Sequence, residues 1–266
     1  MRWVSELRGK YEGEPIWISG ADPTLDGFPV GFEIGKTMIA LNSAHFKFPK
    51  ATYTYSNEYF TVARLLNESS NYGPKPHIFA WPLGWSEGND RDKTKVLLPR
   101  LPDVHWVPLK PYPPRSRRND IYSEIGWNGL KAMVREAKMG DSIRFGGYGT
   151  CLHPCIMVAV MMGGNPINVI GCNHRTFGYR AHYGADGKKE IAAKGNYYPD
   201  WCVPKKIWKT GSIKSIYKKQ WPVMQRGTDA LIEGATEIGV TINMVSGYEA
   251  AEALCSAMDD VNELDA

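Results

Sequence analysis

The stretch Arg144–Tyr183, RFGGYGTCLHPCIMVAVMMGGNPINVIGCNHRTFGYRAHY, constrains the fold more than any other part of the chain. It reads as a glycine-rich turn, an apolar helix over Leu152–Met162, a stop at Gly163 and Gly164, a strand at Ile167–Ile170 and a polar loop. That succession is half of a nucleotide-binding α/β unit. In open α/β sheets ligands sit outside the carboxyl ends of the strands. The polar loop after Gly171 is therefore where chemistry is expected.

Other segments repeat the theme. PIWISG at 15–20, TMIALN at 37–42, ATYTYS at 51–56 and PHIFAWP at 76–82 read as short strands, the third with tyrosines alternating at period two. Asn57–Leu66, Ile121–Lys138 and Thr228–Ile238 read as helices, with Gly239 ending the last. Ser142–Phe145 and Val240–Val245 read as strands, and Glu249–Leu264 as a surface helix. Strands alternating with helices imply a mostly parallel sheet. The expected fold is α/β and Rossmann-like: a mostly parallel sheet flanked by helices, forming one domain over 1–266. Proline and charge make 84–120 irregular, and 184–222 reads as a second irregular insertion, a lid.

The chain of 266 residues is 43% apolar, enough for an ordinary packed core, and its net charge of +4 is only mildly basic. The first twenty residues are too polar for a signal peptide, and no apolar run approaches the ~18 residues that span a bilayer. A cytoplasmic protein is expected. The five cysteines form no CxxC pair, which argues against a disulfide framework or a zinc knuckle. Cys151 and Cys155 lie one helical turn apart and share a face; buried thiols are expected.

Two blocks resemble a known group. The first runs Ile18-Ser19-Gly20-Ala21-Asp22-Pro23-Thr24-Leu25, then Ile39-Ala40-Leu41-Asn42-Ser43-Ala44, then Phe48-Pro49-Lys50-Ala51-Thr52-Tyr53. The second runs from Gly149-Thr150-Cys151 through Gly163 to Ile167-Asn168-Val169-Ile170-Gly171-Cys172-Asn173. The closing run Gly239–Met244 adds to them. Together they resemble the bacterial sialyltransferase-like glycosyltransferases and the related 6-hydroxymethylpterin diphosphokinase-like domains. The resemblance implies a nucleotide held by the first-strand loop, by the asparagine ending the second strand and by the Gly-x-Asn after the later strand. It also implies that Tyr179 and Tyr183 bind the donor phosphate in place of a metal. The chain departs from the pattern where Ala21 and Asp22 replace an asparagine and a glycine, and where Asn173 replaces an aspartate. Val223–Gly227 offers no histidine at the place of the sialyltransferase base, so the resemblance does not reach sialic acid as the sugar.

The residues themselves suit such a reaction. Gly20 lets backbone approach a ligand, Pro23 fixes a turn and Thr24 donates a hydrogen bond, although an ordinary turn would use the same residues. Asn42 can bond a base or ribose, or cap a turn. Gly149, Thr150 and Cys151 open a helix whose N–H groups favour an anion, and Thr150 is equally a good N-cap. Gly171 and Asn173 complete the nucleotide side. In the polar loop, His182 is the first choice for a general base and His174 the second; Arg175, Arg180, Tyr179 and Tyr183 are the phosphate candidates. The bland alternative is a solvated loop. His45, His77, His105 and His153 read as structural. Between Gly195 and Pro222 aromatic residues interleave with lysines, which suits a lid over a sugar, a platform for nucleic-acid bases, or a loop packed by its own aromatics. Trp201 and Trp208 are the acceptor candidates.

The leading expectation is a glycosyltransferase carrying sugar from a nucleotide-sugar to a hydroxyl, with a saccharide or a modified DNA base as acceptor. No tightly bound cofactor is expected; the nucleotide-sugar is a co-substrate, no metal ligands are assigned and metal dependence stays open. A pterin-type pyrophosphokinase using Asp22 and Asp26, or a non-catalytic nucleotide- or nucleic-acid-binding protein, are the alternatives.

Overall fold

The computed structural model describes residues 2–21, 23–56, 77–82, 104–109, 126–139, 150–172, 181–183, 189–191 and 212–264. Eight strands form one sheet: β1 (Arg2–Trp3), β2 (Ile16–Ser19), β3 (Thr37–Leu41), β4 (Tyr53–Ser56), β5 (His77–Pro82), β6 (Val104–Leu109), β7 (Ile167–Ile170) and β10 (Ile242–Val245). Their order is β1-β6-β5-β4-β3-β2-β7-β10, and every neighbouring pair is parallel. β8 (Ala181–Tyr183) and β9 (Lys189–Ile191) form a separate antiparallel pair. The helices are α1 (Gly126–Met139), α2 (Leu152–Met161), α3 (Ser212–Thr236) and α4 (Tyr248–Leu264). The expected parallel α/β fold is therefore the one observed.

Strand alternation sorts side chains onto two faces. Ile16, Ile18, Ile39, Leu41, Tyr53, Tyr55, Ile167 and Val169 join one core cluster. Trp17, Met38, Ala40 and Ile170, the intervening residues, join the other. On the first face lies α2, and all ten of its residues are buried. A helix apolar all round must be enclosed. α2 lies on β2 and β7, and α1 and α3 pack against it. Burial of each of its large aliphatic side chains contributes about 1.5–3 kcal/mol.

α3 reaches this position through small residues. A Cβ at Gly227 would strike the His153 ring at 2.6 Å, and one at Gly234 would come within 2.8 Å of Lys131 Cα. Residues seven apart share a helix face, so one side of α3 meets both α2 and α1. Lys131 and Arg135 of α1 pair with Glu233 and Glu237 at the end of this contact. From the N-terminal segment, Arg8 Nη1 donates to the carbonyls of Ala137 and Lys138 at 2.8 and 2.9 Å, closing the end of α1.

The second face is aromatic. Trp17, Phe28, Phe32 and Phe48 pack with Tyr248, mostly edge to face, with centroids 5.0–6.2 Å apart. Edge-to-face contact sets the positive ring edge on a negative face. Tyr248 and the buried Ala251 bring α4 onto this cluster, so α4 is anchored rather than merely superficial.

Five elements differ from the sequence reading. β1 pairs with β6 at the far edge, a long-range pairing invisible locally. β6 interrupts the irregular 84–120 stretch: VHWV is β-prone, and Pro108 lies past the register of β1, where one edge has no strand partner among the described residues. α3 begins at Ser212, inside the expected lid and well before Thr228, and it contains Pro222. Ile213, Tyr217, Gln220, Met224, Thr228, Leu231 and Ala235 follow one another along α3 in steps of three and four, and Pro222, which has no N–H to give the preceding turn, is exposed. Val223–Gly227 is thus mid-helix and does not precede a helix. Last, β8 and β9 place strands in the polar loop and in the lid region. The expected helix at 57–66 and strand at 142–145 fall outside the described residues.

At the amino edge, Lys10 Nζ donates to Tyr53 Oη at 2.8 Å, and the Tyr11 and Tyr53 hydroxyls lie 3.0 Å apart. Burial, then the bond to Tyr53, pushes the Tyr11 phenol up to about 12, against the pull of the Lys10 ammonium. A raised phenol keeps its proton longer folded than unfolded, so its stabilising effect is complete below the ordinary value of 10 and fades as pH rises through about 12. Wild-type Tm should fall across that window, and Tyr11→Phe should flatten the fall. Equal slopes for both proteins in alkaline melting curves would remove Tyr11 from the account.

Candidate functional site at the carboxyl edge of the sheet

From β2 the chain moves outward through β3 to β6, then returns through α1 and α2 to β7 on the other side of β2. The strand order reverses between β2 and β7. In open parallel sheets this switch point opens the ligand crevice at the carboxyl ends. Ser19 is level with both Ala40 and Ile170, so Gly20, Asn42 and Gly171 emerge side by side at this edge.

The floor of the crevice is backbone. Gly20 N donates to the Ile170 carbonyl at 2.8 Å, extending the β2–β7 ladder past its end. A Cβ on Gly20 would collide with the Gly171 carbonyl and with the Cys172 thiol. Gly171 has φ +60, and a Cβ there would meet Leu25 at 2.7 Å. Both glycines are needed for this close approach. Leu25, in the turn Pro23–Gly27, is fully buried under it.

Asn42 forms the neighbouring wall. Its φ is 50°, left-handed, the only non-glycine positive value among the described residues. That conformation costs most L-residues roughly 1–2 kcal/mol, and Asn tolerates it best. Two contacts hold it. His45 Nδ1 donates to the Asn42 carbonyl at 2.6 Å, and Asn42 Nδ2 donates to Cys151 Sγ at 3.4 Å. Asn42 opens the 3₁₀ turn Asn42–Phe46, against which β8 packs. The strand bearing His182 and Tyr183 is thereby brought beside the Asn42 turn.

The N-terminus of α2 closes the third side. Thr150 Oγ1 accepts from the Leu152 N–H at 3.2 Å, but Cys151 is the N-cap of α2, so Thr150 sits one residue before the cap position expected for it and bonds the first turn from outside. Cys151 and Cys172 are partly exposed, whereas Cys155 is buried behind them. Burial first, then the neighbouring Cys172 and Cys151 thiols, push the Cys155 thiol well above its ordinary value, so it stays neutral.

Of the predicted nucleotide residues, the fold thus gathers Gly20, Asn42, Thr150, Cys151 and Gly171 at one edge, with Pro23 and Thr24 in the turn that follows β2. Gly149, Asn173, His174, Arg175, Tyr179, Arg180, Trp201 and Trp208 lie outside the described residues. His182 and Tyr183 are placed by the backbone of β8 alone, with His182 level with Glu190 of β9. His153 is buried, with Nε2 3.2 Å from the Met224 carbonyl and 3.1 Å from Thr228 Oγ1, as its structural reading expects. The sequence reading gave Cys172 no role of its own and gave His45 no link to the site. The position of Cys172 directly after the β7 glycine was the available signal for the first; nothing local signalled the second. Among the described residues, no group of three or more His, Cys, Asp or Glu is arranged to hold a metal ion, and no helix is long and apolar enough to cross a membrane.

No protein-family model matches the chain, and no curated protein or solved structure matches it at a significant level.

Two substitutions separate the backbone and side-chain duties of Asn42. Asn42→Gly keeps the left-handed turn and loses the bond to Cys151; its urea midpoint should stay near wild type. Asn42→Ala must adopt the same φ with a Cβ and should lose about 1 kcal/mol relative to Asn42→Gly. Equal midpoints for the two variants would show that the turn is not strained.

Proposed function

We propose that the chain is a glycosyltransferase that holds a nucleotide-sugar in the β2–β7 crevice and passes the sugar to a hydroxyl acceptor. One observation carries the reading: Gly20, left-handed Asn42, the α2 N-terminus and Gly171 converge at the topological switch point. The closely apposed glycines leave a flat main-chain floor, which suits a ribose or a phosphate. Asn42 offers an amide for the base or ribose. The N–H groups at the start of α2 suit the diphosphate, because aligned peptide dipoles favour negative charge there. A transferase must stabilise the leaving phosphate, and preorganised donors do so without reorganisation.

The acceptor side draws support from β8. His182 lies on a strand packed against the Asn42 turn, one wall of the crevice. A base in that place would act on the acceptor hydroxyl and leave the donor untouched. The resemblance in the first and second sequence blocks supports the nucleotide side alone, since it places the family's base elsewhere; the tyrosines and arginines between Arg175 and Tyr183 would answer the donor phosphate.

A thermal-shift panel tests the reading. CMP, UMP or UDP should raise Tm selectively. A response to ATP with Mg²⁺ alone would transfer the reading to a pyrophosphokinase. A response to DNA alone, collapsing with salt, would make it a nucleic-acid-binding protein. With the selected nucleotide-sugar, His182→Ala should lower turnover by ~10²–10⁴-fold and leave donor affinity near wild type. An unchanged rate would take the base role from His182.

A further inference from the structure

Cysteine side chains stand in two of the three walls of the crevice. Cys172 Sγ fills the place that a side chain on Gly20 would take. Cys151 Sγ accepts from the Asn42 amide at 3.4 Å. Both are partly exposed, and both rest on the apolar core beneath. Cys155, wholly buried one turn into α2, completes a cluster of three thiols around the switch point.

We propose, building on the nucleotide-crevice reading, that Cys151 and Cys172 form a modification site for low-molecular-weight disulfides, and that its occupation and nucleotide binding exclude each other. The chemistry is thiol–disulfide exchange. A cysteine gives its proton to solvent, and the resulting thiolate attacks one sulfur of the disulfide. A new S–S bond forms, the old one breaks, and the other half departs as a thiolate that takes up a proton. The step is redox-neutral overall, and the only co-reactant is the disulfide.

The geometry makes each adduct obstructive in its own way. At Cys172 the adduct grows from a sulfur lodged against Gly20, so it takes up room at the crevice floor that a nucleotide would use. At Cys151 it displaces the sulfur that holds the Asn42 amide, so the wall loses its orientation. Cys155 takes no part: it is enclosed, and its proton is held tightly. Cys255 provides an internal reference, because it lies in α4 against the aromatic core on the opposite face of the sheet.

The test uses the full reduced chain, oxidised glutathione as probe, and peptide-level mass spectrometry at each cysteine. Cys151 and Cys172 should react ahead of Cys255, with Cys155 unmodified. The nucleotide that gives the largest thermal shift, present at about 100 times its Kd, should slow both by on the order of 100-fold and leave Cys255 unaffected. The modified protein should lose its nucleotide-induced shift and regain it with a reductant. If the nucleotide binds but the rates at Cys151 and Cys172 do not change, the exclusion is overturned and the nucleotide reading stands. If no nucleotide shifts the protein, that reading fails, and with it the exclusion; the modification site itself then stands or falls on whether Cys151 and Cys172 outpace Cys255.

Discussion

Burial of α2 from every side is the constraint on which the other elements depend. A ten-residue apolar helix satisfies its backbone internally but exposes no polar stripe to water. It must therefore have a sheet beneath it and helices above it. β2 and β7 supply the first; α1 and α3 supply the second. Its polar side chain His153 is answered by α3 through Met224 and Thr228, so the same helix that needs cover also specifies which helix covers it. An unanswered imidazole in that interior would cost on the order of 1–3 kcal/mol. This locks the α2–α3 crossing and, through Gly234, the α1–α3 contact.

The same placement builds the crevice. α2 lies against β2 and β7 with its N-terminus at their carboxyl edge. Cys151 there reaches Asn42, at the end of the next strand along. Structure and candidate site are thus not separable layers in this chain. The apolar body of α2 holds the sheet, and its first residues furnish a wall.

Much of this was legible locally. Ile16–Ser19, Thr37–Leu41 and Ile167–Ile170 are apolar runs closed by glycine or asparagine, and α2 is closed by a glycine pair. Such signals depend only on neighbours in the chain. What stayed hidden depends on distant partners or on residues that mislead. β1 exists through its pairing with β6. The prolines near β6 conceal a strand that tolerates Pro108 beyond its neighbour's reach. Pro222 and a run of lysines conceal the first half of α3, although Ile213, Tyr217 and Met224 keep a helical spacing there. At the site, the residue types at Gly20, Asn42, Thr150 and Gly171 pointed to the right edge, but the Gly20–Cys172 approach joins segments far apart in sequence, and no local pattern encodes it.

The main-chain floor carries a consequence for how such a crevice can diversify. Gly20 and Gly171 themselves carry no side chain to exchange, and a Cβ on either would collide with main chain, with Cys172 or with Leu25. Descendants of this chain could not retune ligand preference from below. Their freedom lies at the rim, in the turn after β2, in the Asn42 wall and in the segment that follows β7. The floor is a fixed anvil, and selectivity is shaped by what is set around it.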